Sequence, residues 1–139
     1  MAEGYVPTVV LGCVDKRFFP GGIWAKPLAT LFPGSYHPTF AGAVRPFLIV
    51  EERPSALVVL KATMSVVGLK ARLVVINHHG CGRYAKDGFS FSSLKQERDH
   101  HVGDMAIAVS ILQEHFRGSR IERWYAEMRD GKGVITQVG

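Results

Sequence analysis

Two short clusters hold the residues best suited to chemistry. Cys13 is followed at once by Asp15 and Arg17, and much further along the chain His78 stands three residues before Cys81. Thiolate and imidazole are the donors that Zn2+ takes in tetrahedral geometry, and a site with three protein ligands keeps one position open for water. Gly80 and Gly82 flank Cys81 and permit the backbone conformations that a tight chelating turn needs. Two thiolates and one neutral imidazole leave the zinc unit without net charge, so its water can lose a proton without opposing a strongly anionic shell. Cys13, His78 and Cys81 are therefore read as the ligands of one Zn2+. An Asp15 carboxylate beside that water can accept a hydrogen bond from it and orient a lone pair at a substrate. Arg17 can hold the carboxylate ionised and fixed through a charge-assisted pair. Each half also has a plainer explanation. A Cys closing an apolar strand is often a small buried hydrophobe, and an Asp–Arg pair is often a surface ion pair of little energetic weight. The two thiols could instead form a disulfide if their strand ends are neighbours, but a reducing compartment disfavours that.

The elements that must position these residues are legible around them. Thr8–Cys13 is a short β-branched, apolar run suited to a buried strand, and it ends in Asp15-Lys16-Arg17 before the breaker Pro20-Gly21-Gly22. Ala29–Phe32 reads as a second, weaker strand stopped by Pro33-Gly34, and the Gly- and Pro-rich stretch from Ser35 to Pro46 carries no clear pattern. Pro54–Leu69 reads as a helix with Pro54 in its first turn and Gly68 near its end. Its apolar residues Leu57, Val58, Leu60, Met64 and Val67 nearly encircle it, which predicts a well-buried helix. Leu73–Ile76 is the clearest strand and runs directly into Asn77-His78-His79-Gly80-Cys81-Gly82. A second long helix spans Leu94–Phe116, with Ser93 and Gln96 spaced for a capping box and Gly118 after its last turn. Ile121–Met128 and Val134–Val138 form the last two strands, joined by a tight turn and so antiparallel. Alternating strands and helices predict one α/β domain over 1–139 with a mainly parallel sheet and helices on both faces. Ligands bind such sheets outside the carboxyl ends of the strands, and Cys13 and the His78–Cys81 segment both fall there.

Composition sets the broad class. With 139 residues, 47% hydrophobic and 21% charged, the chain can bury an ordinary globular core. Lys61, Lys70 and Arg72 interrupt the longest apolar stretches, so no membrane span is expected. Met1-Ala-Glu-Gly-Tyr5 has no basic segment followed by an apolar one, and a cytoplasmic location is the expectation. The net charge of +5 comes from bases interleaved with acids, as in Glu127-Met128-Arg129. That is a mixed surface rather than a nucleic-acid-binding face, although it can favour small anions.

Cys13-Val14-Asp15-Lys16-Arg17 resembles the Cys-x-Asp-x-Arg motif of the β-class carbonic anhydrases, and His78-His79-Gly80-Cys81-Gly82 resembles their His-x-x-Cys-Gly motif after a strand. The likeness spans roughly residues 8 to 138 in element order, with residue-level matching confined to the two motifs. It implies a zinc site of Cys13, His78 and Cys81, with Asp15 and Arg17 as catalytic dyad. It also implies strand order 2-1-3-4 with an antiparallel fifth edge strand, and a homodimer or higher homo-oligomer. The implied activity is reversible hydration of carbon dioxide to bicarbonate by a metal-bound hydroxide. The chain departs from the pattern in three places. Lys16 replaces the usual Ser before the dyad Arg, Pro33-Gly34-Ser35-Tyr36-His37 stands where an Arg-Asn-x-Gly segment is common, and the N-terminal arm is short. Two rival readings use the same ligands: hydrolysis of carbon disulfide or carbonyl sulfide, and a non-catalytic zinc protein with Asp15 as fourth ligand. Outside the motifs, His79 is either a proton relay or exposed. Glu97 and His101, at i and i+4 on a helix, are either a pair supporting the site or a solvated face. Phe18, Phe19 and Trp24 form an aromatic cluster after the dyad.

Overall fold

The computed structural model describes residues 7–139, so the Met1–Tyr5 stretch lies outside the described residues. The element order is β1 (Thr8–Cys13), a 3₁₀ turn (Lys16–Phe18), α1 (Ala25–Leu31), β2 (Thr39–Phe40), α2 (Arg45–Leu48), α3 (Arg53–Val67), β3 (Arg72–His78), α4 (Gly82–Lys86), α5 (Leu94–His115), β4 (Ile121–Arg129) and β5 (Lys132–Gln137). The strands form one sheet in the order β2-β1-β3-β4-β5. All pairs are parallel except β4 with β5. Asp130 (φ 51) and Gly131 (φ 74) make the hairpin turn between those two strands. Two consecutive left-handed residues suit the twist of an antiparallel ribbon.

The period-2 geometry of strands divides the core in two. Val9, Leu11, Leu73 and Val75 face α3 and α5, where they meet Leu60, Met64, Met105 and Leu112. Val10, Val74 and Ile76 face the other way, onto Trp24, Leu28 and Phe32. Both faces of the parallel strands are therefore covered, which is why β1 and β3 read as continuous apolar runs.

Two expectations are corrected. Ala29–Phe32 is not a strand but the end of α1 and its C-cap. Trp24, Leu28 and Phe32 recur at i, i+4 and i+8 and are all buried against the sheet; a four-residue window is too short to reveal that helical period. The second strand is instead β2, inside the Gly- and Pro-rich stretch. It is held to β1 by the donation of Gly12 N to Pro38 O (3.2 Å), while Tyr36 exchanges bonds with Val10 N (2.7 Å) and Thr8 O (3.0 Å) just before it. Helix α3 is also less buried than its composition suggests. Ala56, Leu57, Leu60 and Met64 pack inward, but Val58 is 67% and Val66 81% exposed. Its outward face is apolar and open. At α5, Ser93 Oγ accepts from Gln96 N (3.0 Å) as half of a capping box, whereas Gln96 Oε1 accepts from Ser92 N rather than from Ser93 N. Among the described residues no helix is long and apolar enough to cross a membrane.

Glu122 pins β3 to β4. Its carboxylate accepts from Arg72 Nε (2.8 Å) and Nη2 (2.6 Å), from Trp124 Nε1 (3.0 Å), and pairs with Arg120 (2.8 Å). The hydrogen bonds from Arg72 hold its pKa below the ordinary carboxylate value. A depressed folded pKa stabilises the fold above the unfolded pKa, and this contribution is lost as pH falls through the folded one. Glu122→Gln is expected to cost about 2 kcal/mol at neutral pH, and the deficit should shrink as pH falls below the unfolded carboxyl's value of about 4.3 toward the lowered folded one. Urea unfolding of both proteins at neutral pH and near pH 3 checks this; equal deficits at the two pH values would refute it.

Candidate metal centre

Parallel pairing of β1 with β3, in register from Thr8↔Arg72 to Leu11↔Val75, brings their carboxyl ends to one edge of the sheet. Cys13 closes β1 and His78 closes β3. Gly80, at φ +67, then turns the chain so that Cys81 comes back toward them at the cap of α4. The ligand atoms of Cys13, His78 and Cys81 all lie within 4.8 Å of one another, and all three residues are buried. Donors gathered this closely can converge on one ion, whose bonds to sulfur and nitrogen are ~2.0–2.3 Å long.

Three observations test whether this donor set fits a metal ion. His78 Nδ1 lies 2.8 Å from the His79 carbonyl, which can only accept, and 3.4 Å from Arg17 Nη2, which can only donate; the much shorter contact places the proton on Nδ1 and leaves Nε2 a bare lone pair. That Nε2 is buried without a hydrogen-bond partner, an expensive arrangement unless something else takes the lone pair. The two thiols are free, buried and close together. The hydrogen bond from Cys81 pulls the Cys13 pKa down to about 4, and giving that bond, together with burial, pushes Cys81 up. A cation is the natural replacement for the proton of that hydrogen bond, because it neutralises both sulfurs at once.

Asp15 and Arg17 sit at the rim. Asp15 Oδ1 accepts from Arg17 N (2.9 Å) and Nε (2.9 Å), and Oδ2 accepts from Arg17 Nη2 (2.8 Å). This fork holds the Asp15 pKa at about 2, so the group is an anion that accepts hydrogen bonds and does not donate a proton near neutrality. Its Oδ2 lies 3.8 Å from His78 Nε2. Arg17 Nη2 also donates to Gly80 O (3.0 Å), tying the exit of β1 to the exit of β3. Lys16 points to solvent, so the extra cation stays out of the site. Trp24 (5.2 Å between ring centres) and Phe18 (5.4 Å) enclose the His78 ring, and the Arg17 guanidinium lies 4.6 Å over Trp24. Of the expected aromatic cluster, Phe19 alone is largely exposed.

An apolar cavity of about 370 Å³ opens beside Cys13, walled by Phe18, Phe19, Leu28, Ala29 and Ile76, with His37 and Thr39 as polar lining. On the opposite side of the loop, Glu97 and His101 are buried rather than solvated. Glu97 accepts from Gly80 N (2.8 Å) and His79 Nδ1 (2.5 Å), so His79 is neither free nor fully exposed. Sequence reasoning passed over Asn77, whose Nδ2 reaches His101 Nδ1 (2.9 Å) and Tyr84 Oη (3.2 Å), while Tyr84 donates to Asp104 (2.8 Å). The available signal was an amide closing an apolar strand, a group that must be satisfied when buried.

No protein-family model and no curated protein matches the chain. Among solved structures, the carbonic anhydrase from Glaciozyma antarctica superposes with a TM-score of 0.55 at 19% identity, covering 95% of this chain and 86% of that one. The β-carbonic anhydrase CafA of the fungal pathogen Aspergillus fumigatus superposes with a TM-score of 0.52 at 18% identity, covering 97% and 76%. The chain thus has the fold of these carbonic anhydrases, and the sheet order and the antiparallel fifth strand implied by the two sequence motifs are present.

The turn carrying Asp15 and Arg17 depends on Gly22. A Cβ there would lie 2.3 Å from Arg17 O, the atom that accepts from Trp24 N (2.8 Å). Gly22→Ala is expected to displace Arg17 and lose about 1–3 kcal/mol. Gly12→Ala, whose Cβ meets open space, should change stability by less than about 1 kcal/mol. Denaturant titration of the two variants measures the difference, and equal stabilities would contradict the packing described.

Proposed function

We propose that this protein hydrates carbon dioxide reversibly to bicarbonate, using one Zn2+ held by Cys13, His78 and Cys81 and the pair Asp15 and Arg17. The observation that carries the reading is the unpartnered His78 Nε2, buried beside two thiols and 3.8 Å from an Asp15 carboxylate that is already fixed. Zinc at this position would supply the Lewis acidity that lowers the pKa of water toward neutrality, an effect for which carbonic anhydrase is the reference case.

The chain's own groups account for the remainder. Asp15, ionised at working pH, accepts the O–H of the attacking water and turns an oxygen lone pair toward the substrate carbon. Arg17 occupies both carboxylate oxygens, which opposes rotation of Asp15 onto the open ligand position and weighs against the non-catalytic reading. The apolar cavity beside Cys13 suits a small neutral molecule, while the net charge of +5 favours an anionic product. Carbonyl sulfide and carbon disulfide are also linear and neutral, and the same cavity suits them. The buried free thiols suit a reducing, cytoplasmic setting.

Purified protein should hold about one zinc per chain. Asp15→Asn keeps the shape and removes the charge, so zinc content should persist while hydration falls tenfold or more, about 1.4 kcal/mol of barrier per decade. Arg17→Ala should also keep zinc but release Asp15 to close the open position. Stopped-flow hydration between about pH 6 and 9, run beside carbon disulfide hydrolysis, separates the substrates. An Asp15→Asn variant as fast as the parent on carbon dioxide would remove the dyad from the mechanism.

The reading extends to a homodimer or higher homo-oligomer. Val58, Val66 and Leu69 on the α3 side, together with Phe19, Ile23 and Tyr36, leave apolar surface that a lone chain exposes to water. Light scattering at micromolar concentration should return at least twice the mass of one chain; a monodisperse monomer would contradict this.

A further inference from the structure

Glu97 lies on α5, far from both ligand motifs in sequence, and is almost fully buried. Its position follows from the Ser93 cap, which starts the helix so that Glu97 stands one turn inside and Glu97 N donates back to Ser93 O (3.1 Å). Its Oε2 accepts from Gly80 N at 2.8 Å. That N–H belongs to the same peptide unit as the His79 carbonyl, and the His79 carbonyl is the group that accepts from His78 Nδ1 at 2.8 Å. A peptide bond is planar and stiff. A carboxylate fixed on its N–H therefore also fixes the direction of its C=O.

We propose that Glu97 is a positioning residue for the metal centre, setting the tautomer and orientation of His78 through the His79–Gly80 peptide. The proposal rests on Cys13, His78 and Cys81 being the metal ligands. The relay runs from the Glu97 carboxylate through Gly80 N–H and His79 C=O to His78 Nδ1–H. Each hydrogen bond polarises the next in the same sense. The result places the proton on Nδ1 and makes Nε2 a better electron-pair donor toward a metal ion shared with the two sulfurs. Partners that carboxylates or carbonyls provide to a ligating imidazole act in this way, and here the carboxylate acts at one remove.

Surrounding groups hold the carboxylate for this task. Its Oε1 takes the His79 side chain (2.5 Å), and His101 Nε2 lies 3.8 Å from Oε2. The His101 ring is oriented by Asn77, whose Nδ2 donates to His101 Nδ1 (2.9 Å) and so leaves the ring proton on Nε2, facing Glu97. The far side of the loop is held independently, by Arg17 on Gly80 O. The two peptide units that flank Gly80 are thus gripped from opposite sides, one by an anion and one by a cation.

Two readouts test the proposal. In metal-free protein, ¹⁵N–¹H correlation spectra of the His78 ring should show the Nδ1–H tautomer in the parent and a mixture in Glu97→Gln, which keeps the shape but loses the charge. In zinc-loaded protein, release of the metal to a chromogenic chelator should be about 10–100-fold faster for Glu97→Ala and faster also for Glu97→Gln. Glu97→Asp should recover part of the loss if its shorter arm still reaches Gly80 N. If Glu97→Ala does not fold, Glu97→Gln carries both measurements. An unchanged His78 tautomer with an unchanged release rate in folded variants would overturn the role of Glu97 while leaving the zinc reading intact. A parent protein that binds no zinc would overturn both.

Discussion

The parallel pairing of β1 with β3 is the constraint on which the rest depends. Parallel strands end at the same edge, so two residues far apart in sequence, Cys13 and His78, arrive side by side without any dedicated loop to join them. The same pairing buries both strands on both faces, and this explains why the run from Leu73 to Ile76 carries no polar side chain. Its apolar layers toward α3 and toward α1 then fix the strands against sliding, because a one-residue slip would exchange every inward side chain for its neighbour. A metal-ligand geometry needs that rigidity. Donors on two independent loops would have to be ordered by the ion itself, at a cost in entropy for each residue fixed.

Around that constraint lies a ring of charge-assisted and aromatic contacts, all directed at the short segment from His78 to Cys81. Arg17 reaches it from the exit of β1, Glu97 from α5, and Trp24 and Phe18 close it from the α1 side. Trp24 is in turn anchored through Nε1 to Glu127 O (3.0 Å) on β4. Each of these side chains would gain little on a solvated surface. Their weight comes from burial, where an unsatisfied partner is costly and a satisfied one rigid.

Much of this was legible in the sequence, for identifiable reasons. β1, β3, α3, α5 and the closing hairpin declare themselves because their apolar periods are long enough to count, and Asp130-Gly131 is an unambiguous turn. The clustering of Cys13, His78 and Cys81 and the pairing of Asp15 with Arg17 were legible because reactive residue types stood where strands had to end. What was hidden had local ambiguity in common. Ala29–Phe32 fits either period over four residues, and only Trp24 upstream reveals the helix. β2 is two residues long among prolines and glycines, formed by the edge of β1 rather than by its own propensity. For Glu97 and His101 the spacing was visible, but only packing decides which side of a helix faces inward. The outward valines of α3 mislead in the opposite sense, since composition cannot distinguish a buried apolar face from an exposed one.

The brevity of β2 has a further consequence, for the two margins of the sheet. A strand of two residues, preceded by Pro38 with no amide hydrogen, offers a foreign chain almost no ladder to continue. At the other margin β5 runs for six residues and, among the described residues, pairs on one side only, with β4. Any addition of strand to strand, whether orderly between native molecules or disorderly during misfolding, is therefore directed to β5. There Lys132, exposed at the start of the strand, is the charge that such an approach meets first.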